Sequence, residues 1–210
     1  VSPDPACRRM MGLALRNVRL TLLCDGKELF TEQGEALFTH FGLSGPLVLS
    51  ASTYIEDIAK HRYICELDLK PALDEKTLYD RLTRDFAEQG AHSVQGALAK
   101  LLPNSMRPVA VEKWGVDPAT RAAQITKEQK QALVQLCKHW QVPVTALGDK
   151  EHAVVTAGGV DVKEVAPKTM ASKLCSGLYF AGEVLDVDAR TGGYNLQIAW
   201  STAQAAVRAM

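Results

Sequence analysis

The residues with the clearest chemical potential lie near the C-terminal end of the sequence. There an apolar run, Gly177–Gly182, leads into the acidic side chains Glu183 and Asp186. A second cluster follows and consists of Gly192, Gly193, Tyr194 and Asn195. Glycine lets a ligand approach the backbone closely, and a helix that starts here offers unpaired N–H groups to an anion or a polarised carbonyl. The same pattern also suits a plain strand–turn–helix corner in which the glycines only permit the turn.

Another chemical pattern occupies residues 39–46. In this segment His40 could donate a proton in a redox step, and Ser44 could bind a substrate oxygen. The alternative is structural: Gly42 and the Gly45–Pro46 pair form a tight turn, and Ser44 caps the helix that follows. The sequence leaves both interpretations open.

The composition argues against several classes of protein. The chain has 210 residues with 24 basic and 24 acidic side chains, so its formal net charge is zero. An electrostatic nucleic-acid binder needs a surplus of Lys and Arg, and a bilayer span needs about 18 or more consecutive apolar residues. The sequence has neither, and we therefore expect no nucleic-acid partner and no membrane partner. The five cysteines are odd in number and widely spaced, which favours reduced cytoplasmic thiols and predicts no metal site.

The periodicity predicts a β-rich start, a helical middle and a mixed end. Alternating apolar residues flank the dipeptide Asp25–Gly26, which is a strong hairpin signal. Between residues 72 and 140, Asp74, Ser93 and the Thr126–Gln129 capping box each predict the start of a helix. Beyond residue 140 the predicted elements are strands at 142–147, 152–157 and 177–182 and a closing helix at 194–208.

Two motifs together carry a resemblance to a known family. The first runs from Thr156–Val160 through Thr169–Lys173 to Gly192–Asn195, and the second is Gly34–Pro46. Over essentially the whole chain, the sequence resembles a bacterial family of three-domain NAD(P)/FAD-dependent oxidoreductases, also described as the aminoacetone-oxidase family. The resemblance implies an α+β fold in which a β-barrel-like domain, itself carrying a helical subdomain, is inserted into a Rossmann-like FAD-binding domain. The implied boundaries are 1–71 and 141–157 for the β-rich insertion domain, 72–140 for the helical subdomain, and 158–210 for the C-terminal strand-turn-helix of the FAD-binding domain.

The same resemblance implies roles for individual residues. The implied cofactor-binding set comprises Gly158, Gly159, Gly182, Glu183, Asp186, Gly192, Gly193, Tyr194 and Asn195. Glu183 and Asp186 would lie near the ribityl chain of FAD, and the helix start would face the N1/C2=O edge of the flavin, where its dipole favours negative charge. His40 and Ser44 are the candidate catalytic and substrate-binding residues, and NAD(P)H is a candidate electron donor. One departure is Ala189, where family members usually have glycine; strain is expected there only if the backbone needs a positive φ.

The resemblance also makes one absence informative. Family members begin with a strand and a G-x-G-x-x-G turn that holds the FAD pyrophosphate, whereas this chain has no such turn and starts with Val1. We therefore expect a C-terminal fragment, inactive alone, of a cytoplasmic FAD-dependent oxidoreductase that moves electrons between NAD(P)H or oxygen and a small organic substrate. The alternative is a non-catalytic folded module that acts in binding or interaction only. The sequence predicts neither the identity of the substrate nor the oligomeric state.

Overall fold

The computed structural model describes residues 1–149, 151, 153–190 and 192–210. Contacts divide the chain into two compact units, Val1–Leu147 and Gly148–Met210. The first unit holds a curled antiparallel sheet and several helices, and the second holds loops, short 3-10 turns and the final helix. This mixture of sheet and helices confirms the predicted α+β fold class. The finer domain boundaries implied by the family resemblance stay predictions.

The first unit is built on a five-stranded antiparallel sheet with the strand order β3-β2-β1-β4-β5. The strands are β1 (Ala14–Cys24), β2 (Lys27–Thr39), β3 (Gly42–Ser44), β4 (Tyr63–Asp68) and β5 (Trp140–Val144). The predicted Asp25–Gly26 turn joins β1 to β2, and its two residues have φ values of 50° and 82°, as this two-residue hairpin requires. A register shift between Leu15 and Val18 forms a bulge in β1, and a bulge increases the local twist that lets a sheet curl.

The α-helices of the first unit precede the sheet or lie between its strands in the sequence. They are α1 (Pro5–Arg9), α2 (Pro46–Ser52), α3 (Glu75–Glu88), α4 (Val94–Ala97), α5 (Met106–Trp114) and α6 (Lys127–Lys138). The predicted caps Asp74, Ser93 and Thr126 each accept a hydrogen bond from a backbone amide in the first turn of their helix. The local capping chemistry therefore fixes where these three helices begin.

One hydrophobic core joins the helices of the first unit to the sheet. α3 contributes Leu78, Leu82 and Phe86 from one face, as their helical spacing predicts. α6 contributes Leu133 and Cys137, which are also buried. The core therefore depends on apolar stripes that are visible in the sequence.

A buried ion pair reinforces the contact between α6 and the sheet. The Lys138 ammonium donates to Asp68 Oδ2 at 2.6 Å and to the carbonyl oxygens of Lys70 and Leu73 at 3.2 and 2.7 Å. The two charged side chains are only 13% and 10% exposed. Because three acceptors surround the ammonium, its loss of hydration is compensated by hydrogen bonds.

The second unit is held by a small core of Val165, Met170, Leu185 and Ala206. The predicted closing helix is present as α7 (Tyr194–Ala209). It packs beside a 3-10 turn at Gly182–Val184. The arrangement is compact without a sheet of its own.

The strands predicted after residue 140 are only partly present. The strand predicted at 142–147 corresponds to β5, which begins at Trp140 and ends at Val144. Of the strand predicted at 152–157, His152 lies outside the described residues, and residues 153–157 form no strand. The run 177–182 makes an isolated bridge, between Ala171 and Tyr179, in place of a strand. An extended run needs a hydrogen-bonding neighbour along its length, and residues 153–190 supply only single bridges.

Candidate functional site

The centre of the candidate site is a crossing of two backbone segments, residues 158–160 and 183–186, in the second unit. At the crossing, the amide of Val160 donates to the Val184 oxygen at 2.8 Å, and the amide of Asp186 donates to the Val160 oxygen at 2.9 Å. Gly159 has a φ of 144°, and a Cβ at this position would lie 2.5 Å from the Val184 oxygen. Since atoms cannot approach so closely, the crossing requires glycine at position 159.

Two carboxylates, Glu183 and Asp186, lie at the crossing on the exposed surface. The amide and hydroxyl of Thr156 both donate to Glu183 Oε1 at 3.0 Å, and the amide of Gly158 donates to Asp186 Oδ1 at 3.1 Å. The hydrogen bonds from the Thr156 backbone and side chain lower the pKa of Glu183 below its usual value. Each carboxylate has further acceptor positions. Such oriented carboxylates can accept hydrogen bonds from the hydroxyl groups of a ligand.

The start of α7 supplies the other half of the candidate site. Gly193 is the N-cap with a φ of 89°, and no cap hydrogen bond from a described side chain covers the first amides. Asn195 holds the preceding loop in place, because its Oδ1 accepts from the Ala189 amide at 2.8 Å and its Nδ2 donates to the Ala189 oxygen at 2.9 Å. Gly192, Gly193 and Tyr194 are exposed. The positive end of the helix dipole is therefore open to a ligand.

Close packing connects the acidic turn to α7. The amide of Gly182 donates to Thr202 Oγ1 at 3.0 Å, and a Cβ at Gly182 would lie 3.6 Å from the Ala199 Cβ. A small residue at both positions lets the 3-10 turn lie against the helix. The predicted cofactor-binding residues therefore lie within one compact unit, and their role in binding stays a prediction.

His40 and Ser44 lie in the first unit. His40 is exposed in the two-residue turn between β2 and β3, and its ring contacts Phe41 edge-on with 5.0 Å between centroids. Ser44 pairs with Leu37 in the sheet, and Gly45 takes the N-cap position of α2 without a side-chain hydrogen bond. The interpretation of Ser44 as a helix cap is therefore wrong. Its proposed contact with substrate and the catalytic role of His40 stay predictions.

Some features of the second unit were missing from the sequence interpretation. Thr156 belongs to the motif, but its hydrogen bonds to Glu183 join residues that are 27 positions apart, and no local spacing indicates them. Met170, which is buried, has a φ of 57°. Ala189 is not among the described non-glycine residues with positive φ, so its departure from glycine causes no backbone strain.

The first unit contains a cleft of about 310 Å³ between β1 and the helical segment. Its lining includes Arg16, Asn17, Lys70, Leu102, Pro103 and Met106. Burial, and then the nearby charge of Arg81, lowers the pKa of Lys70. None of the described lining residues is acidic. A cleft with an apolar wall and two cationic groups suits an organic anion.

The first unit combines a curled antiparallel half-barrel sheet with helices, which is consistent with a barrel and H2TH-type domain. The family model described as "HI0933-like protein barrel and H2TH domain" matches residues 1–155. The chain therefore belongs to the HI0933-like family, a family of FAD-dependent oxidoreductase-like proteins.

Three curated proteins are similar to the chain. A protein of Haemophilus influenzae named ribosomal RNA dihydrouridine synthase is 37% identical over 202 residues, which are 96% of this chain and 47% of the relative. A protein of the same name from Escherichia coli is 36% identical over 169 residues, covering 80% of this chain and 40% of the relative. A 3-dehydro-bile acid delta(4,6)-reductase of Clostridium scindens is 30% identical over 198 residues, which are 92% of this chain and 48% of the relative. The chain thus spans about half the length of the curated relatives it matches.

The described residues include no helix that is both long enough and apolar enough to cross a membrane.

Proposed function

We propose that this chain is part of a flavin-dependent oxidoreductase and that the crossing and the start of α7 bind FAD. The observation that carries the proposal is the uncapped N-terminus of α7, which lies in the same compact unit as two oriented carboxylates. Membership of the HI0933-like family supports it. When bound, FAD supplies the two-electron chemistry that amino-acid side chains lack. The electron donor in this proposal is NAD(P)H. The assay below is run without air, so that oxygen cannot accept the electrons.

Each part of the site has a defined task in this proposal. Glu183 and Asp186 accept hydrogen bonds from the ribityl hydroxyls of the cofactor. The amides that follow Gly192 and Gly193 donate to its N1/C2=O edge and stabilise negative charge there. Asn195 keeps the loop before α7 clear of this edge by its two hydrogen bonds to Ala189.

The outer face of α7 supports a larger flavin-binding domain. Leu196, Trp200 and Val207 are 64%, 70% and 68% exposed, an unusual density of exposed apolar side chains on one helix. We propose that a further part of the flavin-binding domain, within the half of the relatives' length that this chain does not match, covers this face.

For the reaction, we propose reduction of a carbon–carbon double bond. Dihydrouridine is uridine with two hydrogens added across one ring double bond, and the name of the Clostridium relative also describes reduction at double bonds. The two names therefore share one class of chemistry on different substrates. The five free thiols agree with a reducing cytoplasmic location for this reaction.

Two classes of substrate are candidates for this reaction, a small organic molecule and a uridine in RNA. A small organic substrate was expected from the family resemblance, and the zero net charge argued against nucleic acid. The cleft with Arg16 and Lys70 would suit a carboxylated, largely apolar molecule. A uridine in RNA is favoured by the names of the two relatives at 37% and 36% identity, and the same two cations would then contact phosphate.

Substitution of Asn195 tests the cofactor site. In the protein translated from the complete reading frame, Asn195→Ala removes two hydrogen bonds of about 0.5–1.5 kcal/mol each, and we expect about a 5- to 150-fold loss of FAD affinity. Gln197→Ala is the matched control, because Gln197 lies on the same helix and its side-chain amide donates to Ser201 of that helix. Flavin fluorescence quenching measures both affinities. Unchanged FAD affinity in Asn195→Ala would reject the assignment of this site.

Anaerobic turnover with NADPH or NADH separates the two substrates. Conversion of uridine in ribosomal RNA, detected by mass spectrometry of nucleosides, supports the RNA candidate. Conversion of a steroid enone acid without conversion of RNA supports the small-molecule candidate. A flavin-loaded protein that reduces neither substrate contradicts double-bond reduction while leaving the cofactor assignment in place.

A further inference from the structure

A cluster of three chemically different ligand atoms lies at the end of the β1–β2 hairpin. Cys24, Asp25 and His61 offer a sulfur, a carboxylate oxygen and a ring nitrogen, all within 4.8 Å of one another. The sequence interpretation predicted no metal site, because His61 is 36 positions from Asp25 and no short motif joins them. The fold brings them together by pairing Cys24 with Tyr63 across β1 and β4.

The backbone around the cluster is held from several directions. The Asp25 amide donates to the Arg62 oxygen at 2.9 Å, and the Arg62 amide donates to Asp25 Oδ1 at 2.9 Å. The second carboxylate oxygen of Asp25 lies 2.7 Å from His61 Nδ1. The two carboxylate oxygens of Asp25 are therefore held in defined positions, one by the Arg62 amide and one beside His61.

The separations suit a small divalent ion. Tetrahedral zinc binds nitrogen, oxygen and sulfur ligands at about 2.0–2.3 Å, which places neighbouring ligand atoms about 3.3–3.8 Å apart. The thiol therefore needs to move inward by at most about 1–1.5 Å, and the Asp25–His61 pair needs to open slightly from 2.7 Å. Rotation of exposed or half-exposed side chains can supply these movements.

The cluster is separate from the cleft that contains Arg16 and Lys70, since Cys24, Asp25 and His61 are not in the lining of that cleft. The hydroxyl of Tyr63 forms a hydrogen bond with Cys24 that contributes, after burial, to the raised pKa of Tyr63. The same hydroxyl can donate to a metal-bound thiolate and orient it.

We propose that Cys24, Asp25 and His61 bind one divalent transition-metal ion of the zinc class, with water completing the coordination. The mixed nitrogen, oxygen and sulfur set favours zinc over calcium or magnesium, which prefer oxygen ligands alone. Binding ties the end of the β1–β2 hairpin to the segment that enters β4. The thiol proton of Cys24 passes to solvent when the metal binds, and His61 binds as the neutral imidazole.

Cobalt is the probe for this site, because a thiolate–cobalt bond gives a near-ultraviolet charge-transfer band. With the reduced 210-residue chain, we expect saturation at about one Co²⁺ per chain, and displacement by Zn²⁺. Cys24→Ser should lose the charge-transfer band, and His61→Ala should bind about 10- to 100-fold more weakly. Cys175→Ser and His139→Ala, which change an exposed thiol and an exposed ring elsewhere, are the controls.

Circular dichroism verifies that each variant is folded, and His61→Ala is informative even if Cys24→Ser unfolds, because His61 is exposed. Absence of saturable Co²⁺ binding overturns the proposal. So does binding that persists equally in Cys24→Ser and His61→Ala, or that is lost in Cys175→Ser.

Discussion

Alanine at Gly159 should open the crossing at the candidate flavin site, whereas alanine at Gly158 should not. Both glycines have positive φ, 144° and 97°, so each substitution introduces backbone strain of about 1–3 kcal/mol. Only at Gly159 does the new Cβ meet other atoms, since the Val184 oxygen would lie 2.5 Å away and nothing lies within 4 Å at Gly158. Relief of this overlap costs about a further 1–3 kcal/mol.

The protection of two amides from hydrogen exchange measures the effect. The Val160 and Asp186 amides form the hydrogen bonds of the crossing. We expect their protection factors to be about 5- to 150-fold lower in Gly159→Ala than in Gly158→Ala, which corresponds to the difference of about 1–3 kcal/mol. Amides of β1 should not change. Equal protection in the two variants would refute the argument that the crossing requires glycine for steric reasons.

The remaining predictions concern the first unit and can be measured by urea unfolding of the 210-residue chain. Lys138→Met leaves the buried Asp68 carboxylate without its cation and should lower the free energy of unfolding by about 3–5 kcal/mol. Lys100→Met breaks an exposed pair and should lower it by at most about 1 kcal/mol. Equal losses in the two variants would contradict this prediction. Thr126→Ala removes the capping box of α6 and should lower the free energy of unfolding by about 1 kcal/mol. An unchanged free energy of unfolding would contradict the role of Thr126 as a cap. Burial raises the pKa of Cys65 and of Cys137 to about 12 from 9.0, so the unfolded state releases these protons first as the pH rises. The free energy of unfolding should therefore fall above about pH 9 by about 1.4 kcal/mol per pH unit for each thiol, and Cys65→Ala should flatten this slope. A slope unchanged by that substitution would contradict the assignment.

Local chemistry made much of the first unit predictable. Asp25–Gly26 supplies two residues that tolerate positive φ, and the hairpin forms there. Asp74 and Thr126 satisfy amides that the first helical turn leaves unpaired, and α3 and α6 begin at these caps. Each signal lies within four residues of its effect, so a single sequence is sufficient to find it.

Features that depend on distant partners were less predictable. The apolar run 177–182 has the composition of a buried strand, but its neighbours offer only single bridges, and Leu178 is 42% exposed. Ser44 has the residue type of a helix cap, yet its pairing with Leu37 in the sheet leaves the cap position to Gly45. In both cases the tertiary contacts, and not the local sequence preference, determine the structure.

The candidate site likewise has a part that the sequence predicts and a part that depends on distant partners. Its glycines and carboxylates are recognisable as a motif, because they are close together in the sequence. The hydrogen bonds that orient Glu183 come from Thr156, and a linear motif does not indicate which residues pair across this distance. The cluster at Cys24 and His61 is likewise a product of strand pairing alone.

The flavin content of the protein translated from the complete reading frame tests the central claim most directly. The account predicts about one FAD per chain after purification, or after incubation with FAD. It also predicts a marked loss of FAD in Gly159→Ala that is absent in Gly177→Ala, where a glycine with positive φ has open space around it. A folded protein that is colourless and takes up no added FAD would contradict the account.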